Sequence, residues 1–403
     1  MKKNIFFNLL YVMLSILFPI LIIPMLTGTI GISGYGDYVT LLAYSALINI
    51  FFDVGLEMGA PTILRKFGER DIWVLNIIAF KLIASFFSIF IYIFFFPIEY
   101  DNSSNLIYVS LLYHFLFSIR PIGVLNALNL YKIVAFSELL GKVVFLALII
   151  IWLKAGFDIV NVITFQVVNL GIINFIYYNS LRKNVKTSMD KIKLYNLYAI
   201  LYETKNFFIS RFFINVYTQS STYIVSKFTQ SDVVALYSIA HQLFKVGSGL
   251  IGSVSKVLYT TNIEKKVFKI SQVMALLTLA WVFGLCIVWI FGHDIFLLIF
   301  NDEKAKFLNE LSKIFYISLL FNMISSILGY PLHSVIGGNI NKAHLGVLLG
   351  SSSYFLLLIS VFFLDDVTVY YFAFLVLITE FITSIVRCFF GIPLLKSSRS
   401  IYK

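Results

Sequence analysis

The chain has 403 residues, 60% of them hydrophobic and only 13% charged, with 31 basic against 20 acidic side chains. A soluble domain carries about 25% charged residues, so this composition excludes an ordinary soluble enzyme or nucleic-acid module and points to an integral membrane protein. The apolar runs are long enough for helices of about 20 residues, unlike the ~10-residue alternating segments of a membrane barrel.

Met1-Lys2-Lys3 opens an apolar run that continues to Met25-Leu26. That is longer than the ~7–15 residues of a signal h-region, and no small-x-small cleavage site follows. The segment reads as an uncleaved spanning helix bent at Pro19 and Pro24. Hydropathy then predicts an all-α polytopic membrane protein with about 12 transmembrane helices. They fall near residues 5–27, 36–62, 72–97, 106–128, 133–154, 159–181, 196–226, 232–258, 269–291, 307–333, 342–363 and 367–394.

Alternate loops collect the basic residues, among them Arg65, Lys66, Arg70, Lys132, Arg182, Lys183, Lys191, Lys193, Lys342, Lys396 and Arg399. The opposite loops are acidic, with Asp37, Asp101, Asp158, Asp232, Asp294, Asp302, Asp365 and Asp366. By the positive-inside rule this places both termini in the cytoplasm and accounts for the net charge of +11 without nucleic acid. The longest basic loop divides the chain into an N-lobe (1–181, helices 1–6), a linker (182–195) and a C-lobe (196–403, helices 7–12). Gly34-Tyr35-Gly36 in span two and Leu236-Tyr237-Ser238 in span eight echo one another, and repeats of this kind commonly hold a substrate in a central cavity between two lobes.

Charges inside the spans call for partners or a hydrated path, since each costs ~2.5–3.5 kcal/mol on insertion scales. Glu138 and Lys142 are spaced i,i+4, and Glu310 and Lys313 i,i+3, so each pair can neutralise itself along one helix. Arg387 is expected to extend toward the cytoplasmic interface. Span two carries a polar stripe of Ser45, Asn49, Asp53 and Glu57, and span eight one of Ser238, His241, Gln242, Lys245 and Ser248. Span seven shows Glu203, Lys205, Arg211, Asn215, Thr218, Gln219 and Thr222, and span one adds Asn8, Tyr11 and Ser15. Helix–helix hydrogen bonding accounts for many of the neutral residues but poorly for Arg211 and Lys245. Both of these fall about 20 Å into their spans at 1.5 Å per residue, near mid-membrane. Lys81, Arg120 and Lys205 sit closer to the cytoplasmic side. The basic excess suggests an anionic ligand, for which Arg offers a planar fork and Lys a point charge.

Other chemistries find little support. Cys286 and Cys388 lie in apolar segments without metal or disulfide spacing, and His114, His241, His293, His333 and His344 are scattered. The glycines of Gly28–Gly36 and Gly337-Gly338 lack the strand-to-helix setting of a nucleotide loop, and Asn102-Ser103-Ser104 is an isolated sequon.

Pro19 and Pro24, Tyr35-Gly36, Asp53-Val54-Gly55, Arg65-Lys66 and the echo at Tyr237 together resemble the Wzx-type O-antigen and polysaccharide repeat-unit flippases of bacteria. These belong to the multidrug/oligosaccharidyl-lipid/polysaccharide exporter superfamily. The resemblance spans the whole chain through length, span number and two-lobe layout. It implies transport of an undecaprenyl-diphosphate-linked oligosaccharide from the cytoplasmic to the periplasmic leaflet of the bacterial inner membrane by alternating access, without enzymatic chemistry. It also implies a cavity lined by spans one, two, seven and eight. Arg211 and Lys245 are then expected to engage the diphosphate, helped by Lys205, Arg120 and Lys81, with Asn8, Asn49, Asn215, Gln219 and Gln242 as polar contacts. Asp53, Glu57 and Glu203 would pair with these cations or carry a coupling ion, H+ or Na+; no cofactor or metal is implied. Partners would be the lipid-linked oligosaccharide, membrane lipids, a polysaccharide polymerase and a chain-length regulator. The alternatives are a multidrug/cation antiporter of the same superfamily, which should favour an acidic cavity, and a membrane polysaccharide polymerase.

Overall fold

A computed structural model describes residues 18–97, 104–153, 156–185, 191–265, 270–335, 340–364 and 367–401. Asn8, Tyr11, Ser15, the Asn102-Ser103 pair and Gly337-Gly338 lie outside the described residues. All regular structure described is helical. Nine helical stretches within it are long and apolar enough to cross a membrane, and Phe18–Thr29 is a shorter apolar helix. The helices beginning at Leu194 and Ser231 reach spanning length but carry the polar stripes noted above, so their apolarity is lower. Together these account for the expected set of about twelve, and the chain is a multi-pass membrane protein.

The chain forms two compact units, Met1–Ile224 and Val225–Lys403. In the first, α1 (Phe18–Thr29) leads through a single turn residue into α2 (Gly31–Asp53). Then come α3 (Leu56–Lys66), α4 (Arg70–Phe94), α5 (Ser104–Ser118), α6 (Ile122–Ala127), α7 (Tyr131–Trp152), α8 (Ile159–Asn184) and α9 (Leu194–Gln219). Helix α9 packs on α2, α3 and α4. The compact division therefore falls at Ile224/Val225, whereas the expected boundary lay in the basic loop 182–195. The physical reason is close contact: Gly59 of α3 leaves no room for a Cβ, which would come 2.6 Å from the Thr204 methyl of α9.

Aromatic residues fasten the interior of this unit. Tyr44, Ile48 and Tyr92 form a buried cluster flanked by Phe52, Phe96, Leu111 and Tyr223. The Tyr44 hydroxyl donates to the carbonyls of Ile91 and Tyr92, each at 3.2 Å, so the polar end of a buried ring is satisfied. Asp158 caps α8 by accepting from the Asn161 N–H at 3.0 Å. The outer face of α4 exposes Phe86, Phe87, Phe90 and Phe94, an apolar surface whose natural solvent is lipid.

The second unit contains α11 (Ser231–Lys265), α12 (Ile270–Leu297), α13 (Asp302–Leu328), α14 (Tyr330–Val335), α15 (Ile340–Ser360) and α16 (Val369–Ile401); the short α10 (Ser221–Ser226) crosses the division. Helix α13 is its centre, touching α11, α12, α14 and α16. Leu258, Met323, Ile327, Leu328 and Leu332 form its buried cluster. Asn301 caps α13 by accepting from the Lys304 N–H at 3.2 Å.

Two in-helix expectations change in this unit. Arg387 is only 6% exposed and does not reach an interface. It donates to the carbonyl of Ser325 at 2.7 Å and to that of Ala343 at 3.3 Å, made reachable because Gly329 and Gly346 carry no side chain beside it. The Glu310 carboxylate accepts from Tyr370 at 2.8 Å, and the Lys313 ammonium lies 5.6 Å from the Trp289 ring centre, so tertiary neighbours engage both.

Candidate functional site

Four of the expected single spans are broken, and two of those breaks build the site. Helix α2 ends at Asp53 because Val54 (φ 48°) and Gly55 (φ 74°) both adopt left-handed backbone. Only glycine fits at position 55. A Cβ there would stand 2.6 Å from the backbone nitrogen of Phe208 and 2.9 Å from the carbonyl carbon of Phe207 on α9. The second break separates α5 from α6 at Ile119–Pro121. Pro121 lacks an N–H and pushes the residue before it out of helical geometry, which leaves the Arg120 carbonyl outside the helical ladder. The two breaks lie together: a Cβ on Gly123 would meet the Leu56 carbonyl oxygen at 2.5 Å. Of the other two, one at Ser220 separates α9 from α10, and one at Gly329 separates α13 from α14 in the second unit.

A cavity of about 510 Å³ opens in the first unit where the first two breaks meet. Asn49, Asp53 and Glu57 reach it from α2 and α3, Lys81 from α4, Arg120 from the second break and Glu138 from α7. Asn215 and Gln219 of α9 complete its polar lining, while Tyr113 and Phe117 supply aromatic faces.

Charge in this cavity is organised as two linked pairs. The Lys81 ammonium, on a residue only 7% exposed, donates to Asp53 Oδ1 at 2.7 Å and to the freed Arg120 carbonyl at 2.9 Å. The other oxygen of Asp53 accepts from the Glu57 N–H in the first turn of α3 at 3.2 Å. Arg120 Nη2 donates to Glu138 Oε1, and the Tyr177 hydroxyl donates to the same oxygen at 3.1 Å. The Phe117 ring centre lies 5.9 Å from the guanidinium carbon, within cation–π range. Arg120 Nε has no hydrogen-bond partner among the described residues.

Seven of the expected site residues thus meet in one place: Asn49, Asp53, Glu57, Lys81, Arg120, Asn215 and Gln219. Others do not. Lys205 is exposed and lies over the Tyr202 ring at 4.0 Å. Glu203 pairs with Lys66 at 2.6 Å. Lys245 and Gln242 stand half-buried on α11 of the second unit. The side chain of Arg211 lies outside the described residues, as does Asn8. Glu138, first read as a helix-face partner of Lys142, is the residue that sequence reasoning missed. Spacing along one helix could not show that the α5–α6 break delivers Arg120 to it. The charged side chains lining this cavity are Asp53, Glu57 and Glu138 against Lys81 and Arg120, a mixed set.

Residues 1–261 match the family described as "Polysaccharide biosynthesis protein". A Shigella dysenteriae protein named "Putative O-antigen transporter" is 23% identical over 295 residues, covering 71% of this chain and 74% of that protein. Among solved structures, the lipid II flippase MurJ in an inward closed conformation superposes with a TM-score of 0.67 at 15% identity, over 98% of this chain and 86% of its own. An inward-facing multidrug resistance MATE transporter of the MOP superfamily gives 0.62 at 14% identity, over 97% and 99%. These two likenesses concern the fold.

Proposed function

Because the chain belongs to the polysaccharide biosynthesis protein family, we propose that it is a flippase that carries an undecaprenyl-diphosphate-linked oligosaccharide from the cytoplasmic to the periplasmic leaflet of the bacterial inner membrane. The observation that carries this reading is that two cations, buried Lys81 and half-buried Arg120, line one membrane-embedded cavity, with the Lys81 ammonium bonded to the Arg120 backbone carbonyl. Such a couple suits an anionic headgroup, while the lipid chain stays in the bilayer. Asn49, Asn215, Gln219 and the rings of Tyr113 and Phe117 offer hydrogen bonds and flat faces to the first sugars. Both termini would lie in the cytoplasm, following the distribution of loop charges. Ligand binding in one state and release in another would shift the balance between inward and outward conformations. Arg211 and Lys245 remain proposed contributors, and a polymerase and chain-length regulator remain proposed partners.

The test is surface polysaccharide in a cell lacking its own transporter, supplied with Lys81→Ala, Arg120→Ala, Arg211→Ala or Lys245→Ala protein at normal abundance. Loss of polysaccharide with the first two is expected; full restoration by both removes this cavity from the transport route. A second reading has one observation in its favour. Three carboxylates line the cavity, which also suits a cation exporter. Drug resistance conferred by the chain, with no restoration of polysaccharide, would select that reading.

A further inference from the structure

We propose that Asp53 and Glu138 are built-in competitors for the anion position in this cavity, and that each takes up a proton when an anionic ligand displaces it. The inference rests on the reading of the cavity as a diphosphate site.

Each carboxylate sits as a phosphoryl group would. Asp53 bridges an ammonium and a backbone N–H at the start of α3, with its two oxygens 2.7 Å from Lys81 and 3.2 Å from the Glu57 nitrogen. An ammonium together with an N-terminal helix N–H is a combination that also holds phosphate. Glu138 receives a guanidinium N–H from Arg120 and a phenol O–H from Tyr177. The Lys81 bond to the Arg120 backbone carbonyl, 2.9 Å long, links Lys81 to the segment that carries the Arg120 side chain. Two anion positions in one cavity, both filled by the chain's own carboxylates, equal in number the phosphoryl groups of a diphosphate.

Charge balance then brings in the proton. Lys81 and Arg120 are neutralised by Asp53 and Glu138 in the ligand-free protein. A diphosphate diester brings one negative charge on each phosphoryl group, and it can take both cations only if the carboxylates let go. A carboxylate left buried without its cation is an uncompensated charge and costly to keep. Protonation of both, from water reaching the cavity, restores the charge of the ligand-free site. The charged and titratable neighbours fit this account. Asp53 faces Lys81 and adjoins Glu57, with Asn215 and Gln219 as the α9 groups lining the same cavity. Glu138 faces Arg120 and Tyr177 and has Lys142 one turn along its own helix. Ligand binding would thus load protons, and ligand release would return them.

Calorimetry on the full-length protein tests this, using a water-soluble diphosphate diester, citronellyl-diphosphoryl-N-acetylglucosamine, as the probe. Titration at pH 7 in two buffers of different ionisation enthalpy reads the protons exchanged. The wild type is expected to take up close to two protons per ligand, so that affinity falls by up to about a hundredfold per pH unit. Asp53→Asn and Glu138→Gln should each bind about tenfold tighter or more and each lose one proton of uptake. Tyr177→Phe, which leaves every charge in place but loosens Glu138, should tighten binding modestly and serves if the amide variants do not fold. Wild-type binding without proton uptake, or amide variants that bind no tighter, overturns the exchange and leaves the anion reading intact. Absence of wild-type binding overturns both.

Discussion

Replacing Lys81 with methionine keeps an unbranched side chain of similar length and removes one charge. The native side chain is buried and makes two bonds, to Asp53 at 2.7 Å and to the Arg120 carbonyl at 2.9 Å. Removing one partner of a buried pair costs about 3–5 kcal/mol. Asp53 lines a cavity and keeps 14% of its side chain exposed, so water can partly compensate and the lower end applies. A loss of about 3 kcal/mol is roughly a hundredfold in the folding equilibrium. Adding Asp53→Asn removes the stranded charge, so the two changes should be strongly non-additive, coupled by about 2–3 kcal/mol. Unfolding in mixed micelles, measured for the wild type, both single variants and the double variant, gives that coupling directly. Additivity within about 0.5 kcal/mol would refute a pair buried as described. The double variant should recover stability without recovering surface polysaccharide. Recovery of both would make the pair purely structural.

Three further outcomes follow from particular contacts. Gly55→Ala places a methyl 2.6 Å from the Phe208 nitrogen at a residue with φ 74°; backbone strain of about 1–3 kcal/mol plus that clash should abolish stable protein, read as loss of the monodisperse peak in size-exclusion chromatography. Arg387→Leu removes donors from the Ser325 and Ala343 carbonyls and should lower thermal stability clearly, whereas Arg387→Ala at an interface-reaching side chain would have cost little. Glu203→Gln breaks a pair whose Lys66 side chain is 54% exposed, so the loss should be about 0.2–1 kcal/mol and should shrink in high salt.

The membrane setting and most of the spans were legible because apolar length marks them. The cavity was partly legible, since Asn49, Asp53 and Glu57 repeat at helical spacing and buried cations stand out against lipid. What spacing along one helix cannot show is where the chain turns back on itself. Glu138 and Lys142 satisfy the i,i+4 rule, and nothing within α7 reveals a competing donor on the preceding segment. Arg387 was misread for the same reason: its partners are carbonyls of α13 and α15, exposed to it by Gly329 and Gly346. The placement of α9 with the first unit likewise depends on backbone approach, at Gly55 and Gly59, which hydropathy does not register.

The helix breaks connect these points. A continuous α2–α3 helix would send Asp53 and Glu57 along one stripe, with their backbone N–H groups consumed by the ladder. The turn at Val54-Gly55 instead frees an N–H for Asp53, and Pro121 frees a carbonyl for Lys81. Lys81 and Asp53 are then each held by a backbone group that a regular helix would have withheld, and the second break delivers Arg120 to Glu138. In lipid, such freed backbone groups persist only where protein or a cavity satisfies them. Here the charged side chains themselves satisfy them. Straightening either break should therefore disperse the charges as well as alter the backbone. This is why Gly55→Ala and Lys81→Met, different in kind, are expected to damage the same site.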